Sequence, residues 1–355
     1  HHPQALRVPA STLKILTALV AFHYLGPEYR FPTELYLDPR RNLTLKGYGD
    51  PLLISETISD LVHQLRRGYP DIRQGISALY LDDSHFAQPI RIPGVGPSLN
   101  PYDAANGALC ANFNTIAFTR DTKGNLISAE SQTPLVPLAR QQAVQSGIQR
   151  GRIPIDPRRH GTTLYCGQLF RHFLTQAGIV VAGEIQLTSL PHPPDRPIWR
   201  QASPYPLTEV VRRLMRYSNN FMANQLFLAA GAAFSDPPAT LEKGVAAVQT
   251  YGRTVLGMEN VQVVEGSGIS RDNRLSAVQL LAMLQEFRPY HHLLRSAPGE
   301  YFKTGSLKGI RTRAGYLKDD TGRLFPYVIL LNTPGKSTKS VLDLMRRRIE
   351  RRAAP

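Results

Sequence analysis

The chain has 355 residues, enough for a main domain with an insertion or for two to three small domains, and its 42% hydrophobic content is that of an ordinary globular protein. Lys and Arg (42) outnumber Asp and Glu (27), so the net charge of +15 suits an anionic partner: nucleic acid, an anionic membrane face or an anionic wall polymer. No apolar run is long enough to span a bilayer, and the two cysteines, Cys110 and Cys166, offer neither a disulfide framework nor metal-ligand spacing.

In chain order, Pro9 and Ser11 read as a helix start, and Ile15 to Phe22 is apolar on nearly every face, so this helix lies inside a domain. Phe31 to Asp38 predicts a strand. Gly47-Tyr48-Gly49-Asp50-Pro51 predicts a turn, Ile54 to Leu65 a short helix, and Ile76 to Leu81 a second strand ending at Asp82-Asp83. From Phe86 to Pro137, Pro, Gly, Asn and Thr punctuate short runs such as Thr115-Ile116-Ala117-Phe118, as in a small β-rich module. Phe170 to Gly178 reads as helix, and Ile179 to Gly183 leads into a strand. Pro191-His192-Pro193-Pro194 is a stiff linker and the best domain boundary.

Beyond the linker the pattern is helical. Leu207, Val210, Val211, Leu214 and Met215 mark one helix ending near Tyr217, and Phe221, Leu226 and Phe227 mark the next. Three closely spaced strands follow, at 301–306, 313–317 and 327–331, with Gly-containing turns that imply an antiparallel meander. The last segment places Val341, Leu342, Leu344, Met345 and Ile349 at helical spacing beside Arg346-Arg347-Arg348 and Arg351-Arg352, an amphipathic helix with a solvated basic face. The expected fold is α+β: an antiparallel sheet with flanking helices, interrupted by a β-rich insertion. Residues 1–38 and 198–355 form the main domain, and 39–197 the inserted region, as two small β-rich subdomains.

Three short stretches carry chemistry. Ser11 and Lys14 are three apart, so they share a helix face near its N-terminus, where a desolvated lysine can serve as a base for an adjacent serine nucleophile. Ser218-Asn219-Asn220 lies between two helices, where a hydroxyl and an amide can point into one cleft; alone it reads as a cap and a turn. Lys303-Thr304-Gly305 lies on a late strand, and its glycine lets a ligand backbone approach closely. Alone, Ser-x-x-Lys is better read as a helix cap with a snorkelling lysine. In this order and context, however, the three form the signature of penicillin-binding proteins and serine β-lactamases.

Within that superfamily the chain resembles the D-alanyl-D-alanine carboxypeptidase/endopeptidases of the class C low-molecular-mass penicillin-binding proteins. The matching stretches are Gly47 to Pro51, Leu81 to Phe86, Asn112-Phe113-Asn114-Thr115, Gly266 to Arg271, and Lys303 to Ser306 through Ala314-Gly315-Tyr316, from about Pro9 to Leu331. The long insertion between the first two motifs matches as well. Glu265 stands where an Asp commonly precedes Gly-Ser-Gly, and the segment from Asp38 to Gly47 looks shortened. Only eight residues precede Pro9, where the family carries one or two strands, so the sheet lacks a strand unless the chain is trimmed. His1-His2 reads as the end of a purification tag.

The resemblance implies a serine D-Ala-D-Ala carboxypeptidase, with endopeptidase action on D-alanyl cross-links open to the same site. Ser11, Lys14, Ser218, Asn220 and Lys303 are then catalytic, and Thr304, Gly305 and Ser306 bind substrate, with an oxyanion hole at the backbone N–H groups of Ser11 and Ser306. The implied partners are peptidoglycan stem peptides and, as inhibitors, β-lactams, with peripheral membrane or wall association and a location in the periplasm or cell envelope after export. No metal or other cofactor is expected: the ten histidines include no His-x-x-x-His pair. Cys110 and Cys166 are expected to be buried thiols, with an isolated disulfide as the alternative. His192, His291 and His292 receive no role.

Two other readings use the same fold. A serine β-lactamase needs a deacylation base, and no Glu-x-x-Leu-Asn stretch supplies one. A non-catalytic penicillin-binding sensor or scaffold would not need all five polar side chains. Nucleic-acid binding rests on charge alone, without interleaved aromatic and basic residues, and is not expected.

Overall fold

A computed structural model describes residues 1–188 and 196–353, and the linker expected at 191–194 lies outside them. A 3₁₀ turn, Ala10–Leu13, leads directly into helix α1, Lys14–Leu25, which is buried from Lys14 to Phe22. The α-helix thus begins three residues after Ser11 and five after Pro9. Ser11 lies on the turn, and no side-chain hydrogen bond caps either segment.

The chain then leaves the first core. Strands β1 (Pro32–Leu37) and β2 (Asn42–Gly47) form an antiparallel hairpin, helix α2 (Ser55–Gly68) crosses over, and β3 (Ala78–Asp82) lies parallel to β2. After a long loop come β4 (Thr115–Arg120), β5 (Leu126–Ser128), helix α3 (Pro137–Gln145) and β6 (Gly151–Pro154), the strands forming a three-stranded antiparallel sheet ordered β5-β4-β6. Helix α4 (Gly161–Gln176) returns the chain to β7 (Ile185–Leu187), parallel to β3, and β8 (Trp199–Ala202) pairs with β1. The larger sheet is five-stranded, ordered β7-β3-β2-β1-β8.

Two differences from the sequence expectation stand out here. Position 38/39 falls in the β1–β2 turn, so β1 pairs with the inserted strand β2 and β8 joins the same sheet through β1, rather than either joining the meander of the main domain. The segment from Asp38 to Gly47, which looks shortened in the sequence, contains strand β2. The helices expected over 54–65 and 170–178 are α2 and α4, and α3 is an addition; α2 supplies the crossover that the parallel neighbours β2 and β3 need. The insert's own core joins Leu35, Leu43, Leu45, Leu61, Leu79, Phe118, Tyr165 and Phe170. Phe31, just before β1, still belongs to the first core, so the chain changes cores between Phe31 and Leu35.

The remainder rebuilds the first core. Helix α5 (Leu207–Tyr217) buries Leu207, Val210, Val211, Leu214 and Met215, the set its spacing predicts. Helix α6 (Asn220–Ser235) is almost wholly buried and packs on α1 and on α7 (Leu241–Thr254). Helix α8 (Ala277–Glu286) opens with a reciprocal cap, Ser276 Oγ accepting from Gln279 N and Gln279 Oε1 accepting from Ser276 N. Strand β9 (Arg295–Ala297) and the meander β10 (Glu300–Leu307), β11 (Ile310–Lys318) and β12 (Leu324–Leu331) form the four-stranded antiparallel sheet. This agrees with the predicted α+β class.

Helix α9 (Lys339–Ala353) closes the molecule. Val341, Leu342, Met345 and Ile349 pack on Leu317, Tyr327 and Ile329, while Leu344, expected on the same apolar stripe, faces outward and is 61% exposed. Arg346 leaves the basic face to join Arg313 on the buried carboxylate of Glu300. Cys110 and Cys166 are buried free thiols, as expected.

Candidate active site

Lys14 is fully buried at the start of α1, and its Nζ lies 3.0 Å from Ser11 Oγ, 2.8 Å from Asn220 Oδ1 and 2.6 Å from the carbonyl oxygen of Ser267. Asn220 reaches it from the first residue of α6. That position is fixed by a sharp turn: Ser218 ends α5 in the left-handed region (φ 55°), and Asn219 caps α6 by accepting from Met222 N. Within Ser-Asn-Asn, therefore, the cap role falls to Asn219 and leaves the side chains on either side of it free for the cleft.

Ser218 Oγ accepts from Lys303 Nζ at 2.7 Å, and the same ammonium donates to Thr304 O at 2.8 Å. Lys303 and Gly305 face inward from β10, whereas Thr304 is half-buried and Ser306 exposed, the alternation expected of a strand. The two lysines thus each hold one serine, and Ser218 and Asn220, two residues apart, bring the pairs together. Thr304 and Ser306 make no side-chain hydrogen bond among the described residues.

Close backbone packing aligns Ser11. A Cβ on Gly305 would lie 2.7 Å from Ser11 N and 2.3 Å from Thr312 Oγ1. Gly268, at φ +82°, presses on the other side, where a Cβ would sit 2.0 Å from Ala10 O. Thr12 and Thr312 both donate to Pro9 O, at 2.6 and 2.8 Å, and fasten the turn from within its own helix and from β11. Ala10 itself has φ +47°, an unusual conformation for a residue with a side chain, adjacent to the serine.

Burial pushes the Lys14 ammonium well below its ordinary pKa, the charge of Lys303 pushes the same way, and Glu265 opposes them. Burial, helped by Arg295, brings Lys303 down to about 7. A charged Lys303 in the same cleft thus disfavours a charge on Lys14.

Sequence reasoning matched Gly266 to Arg271 and noted Glu265, but gave the loop 265–273 no part in the site. Here Glu265 is completely buried, and its carboxylate accepts from Ser267 N and Oγ (2.6 and 2.7 Å), Gly268 N (2.7 Å), Ser270 N (3.3 Å) and Asn273 Nδ2 (2.7 Å). Gly266 is held between Asn224 Oδ1, which accepts its N–H, and Thr17 Oγ1, which donates to its carbonyl. The Ser267 contact to Lys14 is through a backbone oxygen, which any residue type could supply. The available signal was the buried acid beside Gly-Ser-Gly. No group of His, Cys, Asp and Glu among the described residues is arranged to hold a metal ion.

The chain is 25% identical to a carboxypeptidase of Mycobacterium tuberculosis over 384 residues, 95% of this chain and 74% of that protein. It is 22% identical to a D-alanyl-D-alanine carboxypeptidase of Haemophilus influenzae, covering 91% and 80%. The crystal structure of penicillin binding protein 4 from Haemophilus influenzae shares its fold, with a TM-score of 0.73 at 21% identity over 95% of this chain and 87% of that one. A peptidoglycan endopeptidase from Bdellovibrio bacteriovorus matches at 0.52 with 15% identity over 99% and 86%. Residues 1–149 and 149–295 match the D-Ala-D-Ala carboxypeptidase 3 (S13) family, and the chain belongs to that family.

Proposed function

We propose that this D-Ala-D-Ala carboxypeptidase works through an acyl-enzyme on Ser11 and that its substrates are peptidoglycan stem peptides ending in D-Ala-D-Ala. The observation that carries the reading is the set of contacts around Lys14. Asn220 Oδ1 and Ser267 O can only accept, so they take two N–H bonds. A neutral amine then has one lone pair left, directed at the Ser11 hydroxyl 3.0 Å away. Burial and the neighbouring Lys303 favour that neutral form.

In this reading Lys14 takes the Ser11 proton as Oγ attacks the penultimate carbonyl carbon. The backbone N–H groups of Ser11 and Ser306 stabilise the oxyanion. Collapse breaks the C–N bond; the departing D-alanine amine takes a proton from Ser218, held by Lys303, and Ser218 regains one from the protonated Lys14, so Lys14 is again a neutral base and Lys303 keeps its charge. Lys303 and Thr304 hold the terminal carboxylate, Asn220 holds a substrate backbone amide, and Gly305 leaves room for the strand-like peptide. Water then hydrolyses the ester. A leaving amine that belongs to a second stem peptide would make the same chemistry endopeptidase action on cross-links.

The β-lactamase reading is disfavoured because the carboxylate of this pocket, Glu265, already accepts five hydrogen bonds and has no oxygen free to activate water. A location in the periplasm or cell envelope, with peripheral contact to membrane or wall, fits the substrate and the net charge of +15. The test is labelling with a fluorescent penicillin. Wild-type protein is expected to label stably and Ser11→Ala not at all. An unlabelled wild type would point to a binding role, and rapid release of hydrolysed drug to a β-lactamase.

A further inference from the structure

We infer that Glu265 is a positioning residue for the reaction: its buried carboxylate folds the 265–273 loop so that the Ser267 carbonyl meets Lys14, and places a negative charge behind that contact. The inference rests on the role of Lys14 proposed above and adds a residue that touches neither substrate nor the nucleophile.

The geometry is specific. Both carboxylate oxygens are used, Oε2 by Ser267 through its N–H and hydroxyl, and Oε1 by Gly268 N, Ser270 N and Asn273 Nδ2. Asn273 Oδ1 in turn accepts from Val264 N, so the loop is closed on the far side of the acid as well. With the Ser267 N–H drawn onto Glu265, its carbonyl oxygen points the other way, 2.6 Å from Lys14 Nζ. Gly268 follows at φ +82°, and the loop seats against Ala10 O, one residue from Ser11.

A buried carboxylate carries a desolvation penalty unless charge-assisted bonds satisfy it, as they do here. The charged groups that act on Lys14 are Lys303 from β10 and Glu265 from this loop, and they act in opposite directions. Lys303 and burial favour the neutral amine. Glu265 alone favours the ammonium, so it keeps Lys14 from losing its basicity altogether. A base whose pKa falls too far accepts the serine proton poorly.

The test is the pH dependence of the acylation rate constant with a fluorescent penicillin, which reads only folded molecules. Removing the negative charge stabilises neutral Lys14, so in Glu265→Gln the acidic limb moves to lower pH, by on the order of one unit. The plateau rate falls in the same variant, because one end of the amide presents donors to donors and the Ser267 carbonyl loses its aim. Glu265→Asp keeps the charge and holds the limb at its wild-type position. A limb that stays in place in Glu265→Gln overturns the inference and leaves only a structural role. If Glu265→Gln does not fold, an acidic limb displaced in a folded Glu265→Asp overturns it equally. Wild-type protein that shows no acylation would count against the Ser11–Lys14 reading itself, a separate outcome.

Discussion

Lys303 is the side chain whose protonation matters most near neutral pH. Burial and Arg295 bring it down to about 7, yet the proposed carboxylate contact needs the ammonium. The sign follows directly: the charged form is present below the lowered pKa and is lost as pH rises through it. The KM for a peptide with a free C-terminal carboxylate should therefore climb above neutrality, approaching about tenfold per pH unit, until the bound carboxylate itself resists the deprotonation. A substrate with an amidated C-terminus should show no such trend. Steady-state kinetics between about pH 6 and pH 9 decide the matter, and a flat KM for the acid substrate would remove Lys303 from carboxylate binding. Lys14 is not expected to report in this way, since its pKa lies well below the ordinary value and its titration should appear as the acidic limb of acylation.

At the scale of elements, the insert acts on the site through α6. Gln225, completely buried five residues after Asn220, donates to Gly49 O (3.1 Å) and Gly107 O (3.0 Å) and accepts from Asn106 Nδ2 (3.0 Å) and Gly107 N (3.3 Å). One amide thus ties two loops of the insert to the helix that positions Asn220. Gln225→Leu would leave these backbone groups and Asn106 Nδ2 with one partner fewer in a dry interior, and the fold should lose about 2–4 kcal/mol, read as a lower urea midpoint. Penicillin acylation should slow as well, because the start of α6 is no longer held in register. Unchanged stability would mean that water replaces the amide. The sequence showed this arrangement only in part. The helices α1, α5 and α6 and the meander β10–β12 were legible because their apolar spacing is local, and the three motifs because side chains of fixed type do the work. The five-stranded sheet was not, since parallel pairs such as β2 with β3 depend on contacts across a whole helix and leave no short pattern. The role of Ser267, inside the matched stretch Gly266 to Arg271, was not legible for a different reason: its contribution is a carbonyl oxygen, and backbone chemistry leaves no mark in residue type. Leu344 was misplaced because helical spacing defines a stripe but not its edge.

For the whole molecule, the excess of 15 positive charges bears on the substrate more than on the fold. The individual ion pairs that could stabilise the chain are mostly at the surface, such as Arg158 with Asp156, and worth little. Two sites differ: Lys46 meets the fully buried carboxylate of Asp82, and at Glu300 Arg313 and Arg346 meet another, which secures α9 to β10 three residues before Lys303. What remains is a long-range field that attracts anionic polymers and is screened within about 10 Å at 0.1 M salt. A short D-Ala-D-Ala peptide meets mainly the buried cleft, where screening is weak, whereas an intact wall polymer meets the whole surface. Raising salt from about 0.05 to about 0.5 M should therefore lower kcat/KM on isolated peptidoglycan severalfold and change it little on a soluble pentapeptide. D-alanine release from the two substrates, measured side by side, gives the comparison. Equal salt dependence would confine the electrostatics to the cleft, and none for either substrate would leave the excess charge without a part in turnover. A loss on the polymer alone would instead make the basic surface the part of the molecule that gathers the substrate, with the Ser11 cleft acting on what the surface delivers.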